Sequence, residues 1–412
     1  MASIGFEIPE DILNIRNGIE AFVRTEVIAR HERHGNICAD PRRLYKEDGR
    51  ICDEALDLMR EVRMASARAG YFNMCVPEKI GGAGKGYLAY YVAWEQIYRM
   101  CGAHHWMLGN FVIGHWAFGP SEVLLELTPR AREEMLPSLL TGEKIMCFGM
   151  SEPGAGSDAA MLKTRAIPDG DGWRLNGRKL WITYAPYADY ICVFAITDPA
   201  RAAVKKGGIS AFLVPTNSPG FKIESIVRVF GQIGGDEGAV VLDNVWVEPY
   251  QLVGKMHEGF RIGLLGVSLG RVYNAARSVA FARWALNLAF EYAKVRECFD
   301  HPISDYQGVS FPLAESAMEV HAAHLMGLNA AALLDQGERA IKEVSMAKAF
   351  SVEVCLRAID RAMQAHGAMG FTNEVALAEA WKVIRVINVA DGTNEILRRT
   401  IAQRMLSGDT EL

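Results

Sequence analysis

Both ends of the chain repeat apolar residues every three or four positions, a spacing that predicts helices. Near the amino terminus Ile12, Ile15 and Ile19 begin this pattern, and helical spacing continues to about residue 135. A second set begins near Gly259 and continues towards the end of the chain, with many small residues on its apolar stripes. Because small residues let helices approach closely, we expect a bundle of four long helices there.

The middle of the chain, from about Lys144 to Val253, has a different pattern. Short runs of β-branched and aromatic residues are separated there by clusters of Pro, Gly and Asp, which predicts strands. The stretch Trp173–Trp181 holds Asn176-Gly177 between two apolar runs, so we expect a β-hairpin with its turn at this dipeptide. Closely spaced strands without helices between them are typical of a small antiparallel barrel or sandwich.

The length of 412 residues is too great for one simple core, and two or three domains are expected. The changes of pattern predict a multidomain α+β protein with an N-terminal helical domain at 1–140, a central β domain at 141–255 and a C-terminal four-helix bundle at 256–412. Half of the residues are apolar and 23% are charged, which is ordinary for a soluble globular protein.

Charge and cysteine usage exclude several classes of protein. The net charge of -5, without blocks of like charge, argues against a nucleic-acid-binding surface. The eight cysteines are scattered without a Cys-x-x-Cys pair, so we expect free thiols in a reducing compartment and no metal site. The first residues contain acids and no long apolar run, which predicts neither a signal peptide nor a membrane span. A cytoplasmic protein that does not bind membranes is therefore expected.

The first candidate for chemistry is a sharp turn at Asp391-Gly392, close to the carboxy terminus. Asp-Gly favours a turn, and Thr393 or Asn394 can cap the helix that follows. A carboxylate on such a turn, beside backbone N–H groups and among apolar residues, could act as a base in a partly dry site. On this segment alone, an ordinary capped turn is the simpler interpretation.

Two segments of the central region add further candidates. The run Phe148–Asp158 holds glycines that let backbone approach a ligand and serines that offer hydroxyls to an oxygen-rich group such as a pyrophosphate. The run Leu180–Thr183 places the Trp181 indole where it could cover a flat ring. Taken singly, the first run is most simply a surface turn, and a tryptophan is more often part of a core.

Together, and in this order, these segments closely resemble the acyl-CoA dehydrogenase family of flavoproteins. Five motifs carry the resemblance, at Met150–Asp158, Trp181–Thr183, Arg296–Phe299, Gln364–Phe371 and Asp391–Thr393. The family patterns are Ser-Glu-Pro-Gly-Ala-Gly-Ser-Asp, Trp-Ile-Thr, Arg-x-x-Phe, Gln-x-x-Gly-Gly-x-Gly-Phe and Glu-Gly-Thr. The resemblance covers practically the whole chain, and five ordered motifs are far more specific than any single one.

The resemblance implies FAD between the β-domain and the bundle, in a homo-oligomer (a tetramer or a dimer) with FAD at the subunit interface. The residues implied to hold the flavin and its nearby groups are Phe148, Met150, Ser151, Ser157, Trp181, Ile182 and Thr183. Those implied to reach the FAD of the neighbouring subunit are Arg296, Phe299, Gln307, Gln364, Gly367 and Ala368. Thr393 and Glu395 stand where the family contacts FAD beyond the base. A planar guanidinium such as that of Arg296 suits phosphate oxygens.

The reaction implied by the resemblance is FAD-dependent α,β-dehydrogenation of an acyl-CoA thioester to the trans-2-enoyl-CoA, as in fatty-acid β-oxidation. Asp391 would take the α-proton while hydride passes to flavin N5, and Arg271 would hold the carboxylate. The base's own backbone N–H and a flavin ribityl hydroxyl would donate to the thioester carbonyl, and burial would raise the pKa of the base. Implied substrate-binding residues are Ser157, Ser268, Arg271 and Gly392. Electron-transfer flavoprotein is the implied electron acceptor.

The main departure from the family pattern is Asp391, which stands where the family usually has Glu. The lost methylene requires the backbone or the substrate to come about 1 Å closer for proton transfer. Some branches place the base just before the arginine matched by Arg271, but that position is Gly270 here, and Ala368 replaces a family glycine. Two alternatives stay open: a nitroalkane-oxidase-like flavin oxidase, which also uses an aspartate, and a catalytically silent flavin- or CoA-binding homologue.

Overall fold

A computed structural model describes residues 8–411 of the chain. Residues 1–7, on which part of the predicted absence of a signal peptide and a membrane span rests, lie outside the described residues. Among the described helices, none combines the length and the apolar character needed to cross a membrane.

The chain divides into two compact units. The helical unit consists of Met1–Arg33, Lys85–Gly109 and Arg271–Leu412, and the mixed unit consists of His34–Gly84 and Asn110–Gly270.

Residues 8–411 contain thirteen α-helices, and the long ones lie towards the two ends of the chain, as the apolar spacing predicts. In chain order they are α1 (Glu10–Phe22), α2 (Ala29–Arg33), α3 (Pro41–Leu44), α4 (Asp53–Arg68), α5 (Tyr87–Gly109), α6 (Pro129–Glu134), α7 (Leu136–Leu140), α8 (Pro199–Ala203), α9 (Gly259–Val295), α10 (Gln307–Asp335), α11 (Ile341–His366), α12 (Leu377–Ile387) and α13 (Asn394–Leu406). A π-helical segment, Val23–Ile28, lies between α1 and α2.

The described strands are β1 (Met146–Gly149), β2 (Arg165–Asp169), β3 (Gly172–Thr183), β4 (Tyr190–Ile196), β5 (Ile209–Pro215), β6 (Phe221–Val227), β7 (Glu237–Val247), β8 (Leu252–Val253), β9 (Glu297–Cys298) and β10 (His301–Pro302). In the mixed unit, β1–β8 form one sheet in the order β6-β7-β3-β2-β4-β5-β8, with β1 beside β4. Pairing is antiparallel except that β1 and β2 run parallel to β4. The predicted antiparallel β domain is therefore a mixed sheet.

The hairpin predicted at Asn176-Gly177 was wrong, because this dipeptide lies inside β3, which runs unbroken for 12 residues. The turn that precedes β3 is at Gly170, between β2 and β3. Gly177 is required for packing: a Cβ there would lie 2.3 Å from Thr164 Oγ1. The Asn176 amide donates to Asn244 Oδ1 at 3.2 Å, across to β7. A close backbone contact between neighbouring segments therefore explains the glycine, which sequence reading assigned to a turn.

The core of the mixed unit packs on β4 and β5, in which successive residues are buried on both faces. Phe148, at the end of β1, packs 4.9 Å from Phe194 and 4.6 Å from Trp116, measured between ring centroids. Because these neighbours fix the end of β1, they also fix where the glycine-rich loop that follows begins.

The core of the helical unit combines aromatic residues of α5 and α9 with small residues of α10 and α11. Trp94 lies 4.7 Å from Tyr273 and stacks on Tyr98 at 5.5 Å, measured between ring centroids. Buried alanines of α10 and α11 are Ala323, Ala330, Ala331, Ala347, Ala349, Ala358 and Ala362. These small residues allow α11 to pack closely against α10, and α11 also contacts α12 and α13.

Candidate active site

The Asp391-Gly392 turn joins α12 to α13 and has the features that the sequence predicts. Asp391 and Gly392 both have left-handed backbone, with φ of 56° and 93°. Thr393 caps α13, because its hydroxyl accepts a hydrogen bond from the Ile396 N–H at 3.2 Å. A left-handed conformation costs a non-glycine residue about 1 kcal/mol, so neighbouring structure must hold Asp391 in place.

Helix α11 holds this turn through Lys348, whose side chain is fully buried. Its Nζ donates to the Gly392 carbonyl at 3.0 Å and to Asn394 Oδ1 at 3.1 Å. The Asn394 amide donates in turn to the Ala349 carbonyl at 3.1 Å. A buried ammonium needs such acceptors, since an unpaired charge in a core is strongly unfavourable. Sequence reasoning missed Lys348, although a lysine on an alanine-rich apolar stripe is a usable signal.

Helix α9 contacts both the side chain and the backbone of Asp391. Asn274 Nδ2 donates to Asp391 Oδ2 at 2.7 Å, and Arg271 Nε donates to the Asp391 carbonyl at 3.0 Å. The two residues predicted to be catalytic therefore lie in contact. The hydrogen bond from Arg271 reaches the backbone of Asp391, while the Asp391 carboxylate is bound by Asn274, which sequence reasoning missed. A Cβ on Gly392 would lie 3.2 Å from Arg271 Nη2, so glycine leaves this arginine room.

Burial and nearby cations set the proton affinity of this cluster in opposite directions. Burial raises the pKa of Asp391 to about 6, although Lys348, Arg271 and Arg277 favour the charged form. Burial also lowers the pKa of Lys348 to about 8, against the effect of Asp391. A carboxylate whose pKa lies near the working pH can both take and release a proton, as general acid–base chemistry requires.

The glycine-rich loop of the mixed unit rests on a buried ion pair between Lys179 and Glu152. Lys179 Nζ lies 2.8 Å from Glu152 Oε1 and donates to the carbonyls of Met150 and Phe194 at 3.3 and 2.7 Å. Glu152 also accepts from the Thr164 hydroxyl at 2.5 Å. Burial lowers the pKa of Lys179 to about 8, against the effect of Glu152. Sequence reasoning missed this pair, which ties the loop to β3 and β4.

Trp181 stands out on β3, because it combines strained backbone with an exposed indole. Its φ is 63°, in the left-handed region, and 56% of the residue is exposed. The pairing of β3 with β7 shifts register between Lys179 and Ile182, so a bulge redirects the side chain. Ile182 is buried beside it, and Thr183 pairs with Glu237. A large aromatic group presented by strained backbone is a common feature of ligand sites.

Three predicted serines of the mixed unit occupy different surroundings. Ser151 is tied to β3, since its carbonyl accepts from the Leu180 N–H at 3.0 Å. Ser157 is exposed at the end of the loop. Ser268 Oγ donates to the Leu264 carbonyl of its own helix at 2.9 Å. Ser151 therefore lies next to Trp181 in the fold.

A cavity of about 810 Å³ opens in the helical unit, between the end of α9, α10 and the end of α11. It brings together four of the predicted FAD residues: Arg296, Gln364, Gly367 and Ala368. A Cβ on Gly367 would meet no heavy atom within 4 Å, so backbone faces open space there. Arg361 also lines the cavity, but its guanidinium is ion-paired with Glu315, which belongs to the lining together with Asp360. The groups that suit a pyrophosphate are the Arg296 guanidinium, the Gln364 amide and the open backbone at Gly367.

The other predicted residues of the helical unit lie outside the lining of this cavity. Phe299 is 90% exposed and forms, with Asp300, the two-residue turn between β9 and β10. Both turn residues have positive φ, 53° and 67°, a conformation in which Asn and Gly are usual. Gln307, the first residue of α10, and Glu395, on α13, are exposed.

Comparison with known proteins identifies the family. Three domain families match in chain order: "Acyl-CoA dehydrogenase, N-terminal domain" over residues 9–143, the "middle domain" over 147–245 and the "C-terminal domain" over 257–406. The chain belongs to the acyl-CoA dehydrogenase family. This acyl-CoA dehydrogenase is an FAD-dependent oxidoreductase, and the predicted family, fold class, enzyme class and cofactor are confirmed.

Two curated relatives and one solved structure illustrate the similarity of this acyl-CoA dehydrogenase to known proteins. A 3-(aryl)acrylate reductase from Clostridium sporogenes is 34% identical over 354 residues, which are 86% of this chain and 92% of the relative. The caffeyl-CoA reductase-Etf complex subunit CarC from Acetobacterium woodii is 33% identical, over 88% of this chain and 92% of the relative. The structure of an acyl-CoA dehydrogenase from Geobacillus kaustophilus matches with a TM-score of 0.83 and 26% identity, over 97% and 99% of the two chains.

Proposed function

We propose that this acyl-CoA dehydrogenase removes two hydrogens from the α and β carbons of an acyl-CoA thioester, with Asp391 as the base that takes the α-proton. The observation that carries the proposal is the Asp391 carboxylate itself. It is partly buried, its pKa is raised to about 6, and Asn274 occupies Oδ2 at 2.7 Å. Oδ1 is the oxygen that we assign to the substrate proton.

Two residues next to the base complete its role. Arg271 fixes the main chain of Asp391 through the carbonyl, so the peptide that carries the base is held from α9. We assign the Asp391 backbone N–H to the thioester carbonyl, where it would stabilise the enolate charge that develops as the proton leaves. We assign Gly392 and Ser268 to substrate contact.

The residues of each unit fit a part of FAD. We assign the isoalloxazine to Trp181, whose indole is exposed, and to Ile182 and Thr183 beside it, with Ser151 and Ser157 on polar groups nearby. We assign Phe148 and Met150, which belong to the core of the mixed unit or pack against it, to the inner side of the flavin site. Bound there, FAD supplies the acceptor for the hydride that leaves the β carbon.

We assign the cavity of the helical unit to the pyrophosphate and adenosine of FAD bound by a second copy of the chain. Arg296 and Gln364 would contact the phosphate oxygens, and Gly367 and Ala368 would let the group approach the backbone. Phe299, 90% exposed in its strained turn, is suited to cover an aromatic base or a partner surface. A homo-oligomer of two or four chains follows from this assignment, with FAD at the subunit interface. We assign Gln307, Thr393 and Glu395 to the outer contacts of the cofactor.

The decisive experiment is an anaerobic titration of the FAD-loaded protein with straight-chain, branched and aromatic acyl-CoAs. We expect at least one of them to bleach the main visible band of the flavin. Asp391→Asn should keep FAD and still bind acyl-CoA, yet lose bleaching by about 10³-fold or more in rate, since it has no proton acceptor. Bleaching that survives in Asp391→Asn would place the base elsewhere, and bleaching by no acyl-CoA would support a silent homologue.

A second candidate is the same chemistry in reverse, reduction of an α,β-unsaturated aryl thioester. It is favoured by two relatives whose names are 3-(aryl)acrylate reductase and caffeyl-CoA reductase-Etf complex subunit. The raised pKa of Asp391 suits both directions, because a group that titrates near 6 can also return a proton to the α carbon. Mixing dithionite-reduced protein with cinnamoyl-CoA and with an aliphatic 2-enoyl-CoA under argon separates the two: fast reoxidation by the aryl compound alone supports the reductase.

The electron acceptor is a separate part of the proposal. We infer electron-transfer flavoprotein, in keeping with the name of one relative, which is a subunit of an Etf complex. Turnover should then need added electron-transfer flavoprotein and be slow with oxygen. Rapid turnover of nitroalkanes in air, and its loss under argon, would instead support the nitroalkane-oxidase-like alternative.

A further inference from the structure

Asn274 donates a hydrogen bond to the Asp391 carboxylate, and this donor is itself held in a fixed orientation. Asn274 is 2% exposed and lies on α9, three residues after Arg271. Its Nδ2 donates to Asp391 Oδ2 at 2.7 Å, and its Oδ1 accepts from Arg277 Nη2 at 3.1 Å. Since a guanidinium can only donate, Oδ1 must face Arg277, and the NH₂ group must then face Asp391.

Arg277 is in turn held by two tyrosines. Its guanidinium lies 4.7 Å from the ring centroid of Tyr273 and 5.8 Å from that of Tyr98. The hydroxyls of these tyrosines lie 2.6 Å apart. The cation therefore sits on aromatic faces and cannot turn away from Asn274 without losing both contacts. The arrangement forms a line from the aromatic core of the helical unit to the carboxylate.

We propose that Asn274, oriented by Arg277, is the positioning residue that sets the rotamer and the ionisation of the short base in this enzyme. This inference rests on the proposed function of Asp391 as the base and adds a positioning residue to that function. Binding one carboxylate oxygen leaves the other free to meet the substrate proton in a single orientation. A base that lacks a methylene has less reach, so a fixed rotamer matters more for its distance to the α carbon.

Besides Asn274, charged and titratable groups from two helices of the described chain face Asp391. From α9 these are Arg271, Arg277 and Tyr273, and from α11 it is Lys348. Arg271 and Lys348 bind the main chain at Asp391 and Gly392 and keep these partners when Asn274 is replaced, whereas Arg277 loses the Oδ1 acceptor of Asn274 in a leucine variant. An aspartate at this position keeps an oxygen for Arg277 but has no donor for Asp391. A change seen with both variants therefore comes from the lost donor and not from the lost acceptor for Arg277.

The test compares Asn274→Leu, which removes the donor at similar volume, with Asn274→Asp, which is nearly isosteric. Flavin reduction by an active acyl-CoA is followed in single turnover between pH 5 and 9. The acid limb of the resulting pH–rate profile is the range in which the rate falls as Asp391 becomes protonated. For Asn274→Leu we expect this limb to move up by about one pH unit, because a hydrogen bond to an ionised group is lost. The limiting rate should fall by roughly tenfold. For Asn274→Asp the limb should move further, because a second carboxylate opposes ionisation.

The matched control is Ser278→Ala, one turn further along the same buried helix. Ser278 is fully buried, and its Oγ has no hydrogen-bond partner among the described residues, so its loss should leave the limb and the rate unchanged. FAD content and circular dichroism should match the wild type in all variants. A lower rate with an unmoved acid limb in Asn274→Leu would show a merely structural role and overturn the inference.

A second measurement keeps this inference separate from the proposed function. The stability difference between Asp391→Asn and the parent depends on pH through the ionisation of Asp391, and it needs no substrate. In the Asn274→Leu background the midpoint of this dependence should rise by about one pH unit. An unmoved midpoint overturns the role of Asn274 whatever the reaction, whereas a moved midpoint without reduction by any acyl-CoA overturns only the proposed function.

Discussion

Asp391→Asn should make the protein more stable at neutral pH, because the raised pKa of Asp391 means that folding disfavours its ionised carboxylate. The pKa of Asp391 rises from 3.8 to about 6 on burial. A carboxyl group with a raised pKa contributes its full stability below pH 3.8 and loses it as the pH rises through about 6. The difference of roughly two pKa units corresponds to about 3 kcal/mol at pH 8 and about 1 kcal/mol at pH 4.5. Asparagine does not titrate and avoids this loss.

The assay is urea unfolding of the FAD-saturated protein, followed by tryptophan fluorescence at pH 4.5, 6 and 8. The midpoint of Asp391→Asn should lie above that of the wild type at pH 8, and the gap should shrink as the pH falls. The control is Glu395→Gln, four residues along the chain, because the pKa of this exposed carboxyl group is lowered through a backbone hydrogen bond and the Thr393 hydroxyl. Its substitution should therefore lose stability as the pH rises. A gain in Asp391→Asn that is absent at pH 8, or equal at all pH values, would refute the reasoning.

Three further predictions concern the residues around the site. Lys179→Met leaves Glu152 buried without its cation, so it should lower the unfolding free energy by about 3–5 kcal/mol and also lower the FAD content. The double variant with Glu152→Gln should recover part of the stability and part of the FAD content. Lys348→Met removes the donor to the Gly392 carbonyl and should cost about 1–3 kcal/mol, with slower flavin reduction but normal FAD content; an unchanged rate would contradict its role. Arg296→Leu should keep the fold and weaken FAD binding by about tenfold, measured by equilibrium dialysis. Unchanged FAD binding would exclude the cavity as a binding site for the FAD pyrophosphate.

The sequence predicted features that depend on neighbouring residues along the chain. The turn at Asp391-Gly392, the Thr393 cap and the helices of the two ends all follow from local spacing and capping chemistry. The same local reasoning was wrong at Asn176-Gly177, because the glycine there makes room for Thr164 of a neighbouring segment and does not form a turn.

The contacts that shape the site join distant parts of the chain, and this is why sequence reading missed them. Asn274 and Asp391 are separated by 117 positions, and Lys348 and Gly392 by 44. The signal was present, since Arg271, Asn274 and Arg277 recur every three residues among the apolar and small residues of this part of α9. Without the fold, however, nothing indicates which partner such a polar row faces.

The left-handed backbone of Asp391 gives a physical reason for the shorter acid at this position. Aspartate tolerates this conformation better than most residues, because its short polar side chain can hydrogen-bond locally, whereas longer side chains gain nothing from it. The carboxylate is already met at 2.7 Å by Asn274, so a longer acid would have to give up that contact or move the turn held by Lys348. With Asp391 as the proposed base, the shorter side chain loses reach and gains a fixed orientation, so the substrate would have to approach the carboxylate more closely. On this proposal we expect substrate selection to depend on which acyl groups can bring the α carbon that close.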